Sequence, residues 1–271
     1  MKIPHKLGRI KLAPWASALA ALAASAALAQ EPKAAALPKA ESILDRYVQV
    51  TGGKGAYQKL RTEILAGTIE FPAMGLKGKL TRYSAAPDQE YSIVELESIG
   101  NIESGIYMGA AWEKSVLLGP RIKNPEERDQ SLREARFNAP LEWRKIYPKV
   151  ATAGVQTIDG EECYEVVLTP PTGKPQHQFY SKKTGLLVRT TTVAASQMGE
   201  IDVEVNVSDY KSFGGVRVPT HSKQKAGNQE LRITIDDVKV NEEIPATRFD
   251  PPDDISSLIR KAKASEEGRL P

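Results

Sequence analysis

The sequence predicts an α+β fold: one large antiparallel sheet, curled, with a few helices against it. Three observations predict it. The stretch Ile201-Asp202-Val203-Glu204-Val205-Asn206-Val207-Ser208 alternates apolar and polar without a break. Successive side chains of a strand point to opposite faces, so Ile201, Val203, Val205 and Val207 share a dry face and their neighbours a wet one. Second, glycines at turn-like positions recur at Gly160, Gly173, Gly185, Gly199, Gly214 and Gly227, at intervals of 13, 12, 14, 15 and 13. Strand-like runs lie between them, and linkers such as Ile158-Asp159-Gly160 and Lys183-Thr184-Gly185 carry turn chemistry. That punctuation belongs to a meander of hairpins. Third, the units do not resemble one another in detail, which excludes a solenoid.

From the amino terminus, residues 1–29 read as a secretory signal. Lys2, Lys6, Arg9 and Lys11 make a basic start, Trp15 to Leu28 an apolar run, and Ala27-Leu28-Ala29 a small-x-small cleavage site. The run is too short to span a membrane comfortably. The expectation is therefore a soluble periplasmic protein that starts near Gln30, with residues 30–38 a flexible leader, 39–252 one domain and 253–271 a C-terminal tail. The chain carries 37 Lys and Arg against 34 Asp and Glu; without the four signal basics the balance is 33 to 34. Nothing in that balance calls for nucleic acid or an anionic membrane.

A helix is expected from Pro38 to Gly52, where Ile43, Leu44, Tyr47 and Val48 fall at helical spacing before a Gly52-Gly53 stop. A short helix over Ala56 to Leu60 follows. Strands are expected over Ile64 to Phe71, Leu76 to Ser84, Gln89 to Glu97, Ile102 to Met108 and Ala111 to Leu118. Asn124-Pro125-Glu126-Glu127 then starts a helix: Asn124 caps, Pro125 suits the first position, and Glu127 reaches back to the cap amide. That helix is highly charged and runs to about Phe137. Pro140 to Tyr147 is a second helical candidate, with Trp143, Ile146 and Tyr147 on one side. The meander resumes over Cys163 to Thr169, Gln176 to Ser181, Leu186 to Val193, Ile201 to Ser208, Val216 to Ser222 and Leu231 to Val240.

The motifs of catalysis are missing: no G-x-S-x-G, H-E-x-x-H, P-loop, G-x-G-x-x-G or C-x-x-C. Beyond the signal only His177 and His221 remain, too few to make a metal site by themselves. Asp236-Asp237 and Asp253-Asp254 lack calcium-loop spacing and read as surface or turn residues. The one cysteine, Cys163, cannot form an internal disulfide and reads as a small core residue. A Cys163–His177 dyad fails on register. Ser181 falls opposite Cys163, which leaves His177 about four residues along the neighbouring strand, roughly 13 Å away. No catalytic residue, metal or cofactor is expected, and the protein reads as a non-enzyme.

What remains is apolar surface. A curled sheet leaves a concave apolar face, which either helices fill or a ligand shares; spacing leaves both open. The candidate ligand-binding residues are Trp112, Trp143, Ile146, Tyr147, Ile201, Val203, Val205, Val207 and Ile233. The helical insertion from Asn124 to Tyr147 is the candidate cover.

Five segments resemble a secreted bacterial family described as outer-membrane lipoprotein-sorting-like, within the lipoprotein-carrier (localisation-factor) fold superfamily. They are Ala139-Pro140-Leu141-Glu142-Trp143-Arg144, Cys163 to Pro170, Thr184 to Arg189, Asp209 to Pro219, and Val240 to Asp250. The resemblance spans roughly Ala40 to Pro252. It implies a large antiparallel, unclosed β-barrel (a half-barrel) with helices covering its mouth. In the carriers that cavity takes lipoprotein acyl chains. The expected function is therefore an envelope protein binding a hydrophobic, lipid-like ligand. The alternative is a sensor or scaffold with a filled core that binds an envelope protein.

Overall fold

In the computed structural model residues 36–267 are described, apart from Ser98, Leu117 and Met198. The expected signal peptide and most of the leader lie outside the described residues, as do residues 268–271 of the expected tail.

The first meander holds β1 (Thr62–Phe71), β2 (Leu76–Ala85), β3 (Gln89–Leu96), β4 (Gly100–Tyr107), β5 (Ala110–Ser115) and β6 (Gly119–Ile122). The second holds β7 (Lys149–Ile158), β8 (Glu161–Thr169), β9 (Gln176–Ser181), β10 (Leu187–Ser196), β11 (Gly199–Phe213), β12 (Val216–Ala226) and β13 (Gln229–Val240). Each strand pairs with its sequence neighbours, and the β1–β13 ladder joins the two meanders into one 13-stranded sheet. The free edges are β6 and β7, consecutive in sequence and unpaired with each other. The result is the α+β, unclosed antiparallel half-barrel.

Two glycines show how tightly the sheet is joined. A Cβ at Gly67 would collide with the Thr234 carbonyl, at the β1–β13 bulge where the register shifts. The same bulge displays the exposed pair Asp236-Asp237. A Cβ at Gly52 would collide with the Gly215 carbonyl, and its φ of 135° is one that glycine adopts freely.

Helix α1 (Ala40–Val50) buries Ala40, Ile43, Leu44 and Val48, the i, i+3, i+4, i+8 stripe expected of a surface helix. Thr51 ends it: its Oγ1 donates to the Tyr47 carbonyl at 2.7 Å and shares a hydrogen bond of 2.8 Å with the Tyr57 hydroxyl. Helix α2 (Gly53–Tyr57) is one short piece, displaced towards the amino terminus from the expected Ala56 to Leu60. Between β6 and β7 stand α3 (Pro125–Glu134) and the single turn α4 (Trp143–Ile146). The Asn124–Glu127 capping box forms in both directions, at 2.9 and 3.0 Å.

Three sequence expectations need correction. β6 and β7 were not foreseen; one is four residues long, and the other, Lys149-Val150-Ala151-Thr152-Ala153-Gly154-Val155, is interrupted by a bulge at Thr152/Gly154. The helix expected over Pro140 to Tyr147 is one turn, because Asn138 takes a left-handed φ of 55° and the chain turns before Trp143. The segment from Asp253 is, as far as Glu267, a helix (α5) rather than a tail. Its Ile255 and Ile259 are fully or nearly buried against Tyr91, Trp112 and Phe249.

Candidate functional site

Strand pleating assigns each wall its face. In β2, Leu80, Arg82 and Ser84 alternate with Tyr83 and Ala85. Tyr83 and Ala85 pack with Tyr91, Trp112 and α5, so α5 covers the convex side. Leu80, Arg82 and Ser84 face the concave side.

The concave face is filled at two places. Towards β7–β9, α1 and Trp143 pack on Val166, Leu168 and Tyr180, with the Tyr47 and Tyr180 rings edge to face at 5.4 Å. At the far ends of β1–β3, Ile69, Val94 and Leu96 close on one another with Leu231 and Ile233. Between these plugs a cavity of about 610 Å³ remains. Its apolar wall is Leu65, Leu80, Val205, Val207, Ile233, Ile235 and Val238. Tyr47, Tyr57 and Leu60 close one end, and the chain from Glu134 to Pro140 closes the mouth.

Phe137 of that cover packs with Val48, Tyr57, Leu60 and Val216, whereas α3, which leads into it, is held by polar contacts. Arg121 of β6 donates to both oxygens of Glu127, at 2.8 and 2.7 Å. On the opposite side the Ala195 amide of β10 donates to Gln130 at 3.2 Å, and Thr172 of the β8–β9 loop donates to Asp129 at 3.1 Å. Below, Asn138 donates to the Tyr57 carbonyl at 2.8 Å and the Phe137 amide to the Pro87 carbonyl at 3.0 Å. Helix α3 therefore reaches from the β6 edge across to β10 and the β8–β9 loop.

A charged row crosses the cavity wall. Glu63 stands opposite Ser84, and Ser84 opposite Glu90; one step along, Arg82 stands opposite Leu65 and Ser92. Arg82 thus sits diagonally between two carboxylates, and its Nη2 donates to Glu63 at 3.2 Å. Burial pushes the Glu90 carboxyl above the usual carboxylate range, against the opposing pull of Arg82.

The structure separates the sequence-predicted residues. Val205, Val207 and Ile233 line the cavity. Ile201, two residues from Val203, lies beside Gly227 at the β12–β13 turn, and Val203 borders a different groove, with His177, Asp202 and Lys225. Tyr147 lines a polar groove beside the cavity and donates to Gln176 at 2.9 Å. Trp143 is buried under α1, its Nε1 donating to Asp45 at 3.2 Å. Ile146 is buried. Trp112 is on the convex side beneath α5, 1% exposed. Sequence reasoning missed Arg82, Glu63 and Glu90. A signal existed in Leu80-Thr81-Arg82-Tyr83-Ser84, but both faces of that strand are covered, so alternation alone did not tell which is the wall.

Cys163 is fully buried with Ile158 and Phe179. Burial pushes its thiol up to about 11. Its cross-strand partner is Ser181, whereas His177 stands opposite Val167 and pairs with Glu165 at 2.6 Å. His221 pairs with Asp209 at 3.1 Å. Among the described residues no group of three His, Cys, Asp or Glu is placed to hold a metal ion, and no helix is long and apolar enough to cross a membrane.

No family model and no curated protein matches the sequence. Solved structures do match in shape. A DUF1329 family protein from Desulfovibrio piger is 14% identical with a TM-score of 0.54, over 78% of this chain and 97% of that one. A LolA superfamily protein from Nitrosomonas europaea is 12% identical with a TM-score of 0.55, over 79% and 99%. A putative outer membrane lipoprotein-sorting protein domain from Vibrio parahaemolyticus is 11% identical with a TM-score of 0.51, over 78% and 97%. With its unclosed antiparallel sheet and covered concave face, this chain has a LolA-like fold.

Proposed function

We propose that this protein is a non-catalytic envelope carrier that holds a lipid-like ligand on the concave face of its sheet. The observation that supports this reading is the cavity of about 610 Å³ left between two solid plugs of core. A scaffold with a filled core has no use for such a space. Ligand pockets commonly enclose roughly 300–1,000 Å³ with mostly apolar walls. Each methylene moved from water into such a wall gains about 0.8 kcal/mol, so a long chain is held without a polar motif. The cover suits loading and release, because α3 rests on ion pairs and hydrogen bonds that water replaces when it lifts. The basic start, apolar run and Ala27-Leu28-Ala29 pattern of residues 1–29, read as an export signal, support an envelope location.

The test is organic extraction and mass spectrometry of protein purified without detergent, with titration of an apolar fluorescent dye. Co-purified acyl lipid, or saturable dye binding displaced by lipid, is expected. Protein that carries no lipid and binds no dye would overturn the carrier reading.

A further inference from the structure

Resting on that carrier reading, we propose that the ligand is a single-chain amphiphile with an acidic head, of the fatty-acid class, and that Arg82 receives its carboxylate.

The argument begins with the hydrogen bonds Arg82 does not make. A guanidinium offers five N–H donors and stays charged. Here one is used, from Nη2 to Glu63. The Nε–H is buried, and among the described residues no group accepts from it. A buried donor without an acceptor is costly, and each such group calls for an explanation. Arg82 is nevertheless 41% exposed as a side chain, and the space it faces is the cavity.

The neighbours narrow the chemistry. Glu63 holds one edge of the guanidinium through a single contact of 3.2 Å, not the bidentate grip that carboxylates prefer. A second carboxylate can therefore seat on the remaining N–H groups. Glu90, the other charge beside Arg82, makes no hydrogen bond to it and is held towards its neutral form by burial. That direction lessens its repulsion of an acidic head. A cationic head would have to settle beside the guanidinium itself. Leu65, Leu80, Val205, Val207 and Ile233 continue the wall from this point, so a head at Arg82 leaves its chain on apolar surface.

The experiment uses the full folded chain and a chain-matched panel: palmitate, hexadecanol and hexadecylamine, each displacing the same apolar dye at neutral pH. Wild type should prefer palmitate over hexadecanol by at least about tenfold, with hexadecylamine weakest. Arg82→Gln should erase that preference, lowering palmitate affinity far more than that of hexadecanol. Glu63→Gln removes the competing carboxylate, so it should raise palmitate affinity several-fold and not that of hexadecanol. This second variant carries the test if Arg82→Gln fails to fold. Equal binding of acid and alcohol by wild type, or a preference that survives Arg82→Gln or is unmoved by Glu63→Gln, would overturn the inference and leave the carrier reading standing. Failure to bind any of the three would sink both.

Discussion

The sharpest prediction compares one substitution at two places on the same concave face. Val205 lines the cavity, while Val166 is 0% exposed in the plug beneath α1. At Val166 an added ring meets close-packed side chains, and overpacking costs about 1–3 kcal/mol. For a domain of this size each kcal/mol lowers Tm by roughly 2–4 °C, so Val166→Phe should lower it by about 2–12 °C. At Val205 the ring enters open space. A void on the order of 150 Å³ accommodates a benzene ring, and about 610 Å³ is present. Val205→Phe should therefore leave Tm within about 2 °C of wild type. It should instead weaken ligand binding. If the ring displaces three methylenes of a bound chain, the loss is about 2.4 kcal/mol, or about fiftyfold in Kd. Thermal melting and dye titration on the three proteins read both quantities. A Val205→Phe protein that melts as low as Val166→Phe and binds dye as wild type does would refute the claim that the face is open there.

Three further outcomes are expected. Glu127 is 6% exposed on its side chain, and Arg121 with the Asn124 amide holds its carboxyl below the usual range. A depressed carboxylate pKa contributes stability above the unfolded value and loses it as pH falls through the folded one. Glu127→Gln should thus cost about 1–3 kcal/mol at pH 7, with the gap closing below about pH 4 in urea melts. Cys163 should resist Ellman's reagent at pH 8 and react once urea unfolds the protein, because its thiol is buried and its pKa pushed up to about 11. Ile255→Ala should cost about 2–5 kcal/mol in urea unfolding, since the side chain is 0% exposed under the convex-face cluster.

How much was legible follows from how many faces each element has. The strands with one wet face, β11 to β13, were placed correctly because alternation has one meaning there, although β11 runs on to Phe213 and β12 to Ala226, past the expected ends. The Asn124 capping box was legible because it is a local contract between side chain and backbone. β7 was not, because it is an edge strand interrupted by a bulge. α5 was not, because its charged surface residues mask the two isoleucines, and Trp112, on the face they cover, reads from sequence as a cavity residue.

The candidate site was half legible for the same reason, and the half that was missed is the informative one. Apolar wall residues such as Val205 and Ile233 announce themselves by period. Arg82 belongs to a strand whose other side is covered by Tyr83 and the convex-face cluster, so both its faces look buried and the arginine looks misplaced. Three-dimensional register resolves it: Glu63 lies 19 residues before Arg82, and Glu90 follows on the next strand, yet the ladders set both on its diagonals. A row of ionisable groups on that wall is costly to maintain, since each charged group loses water under the cover. An apolar row there would make a more stable sheet. Retaining a guanidinium with a buried, unpartnered Nε–H is the expected compromise of a wall that must also recognise one end of what it holds.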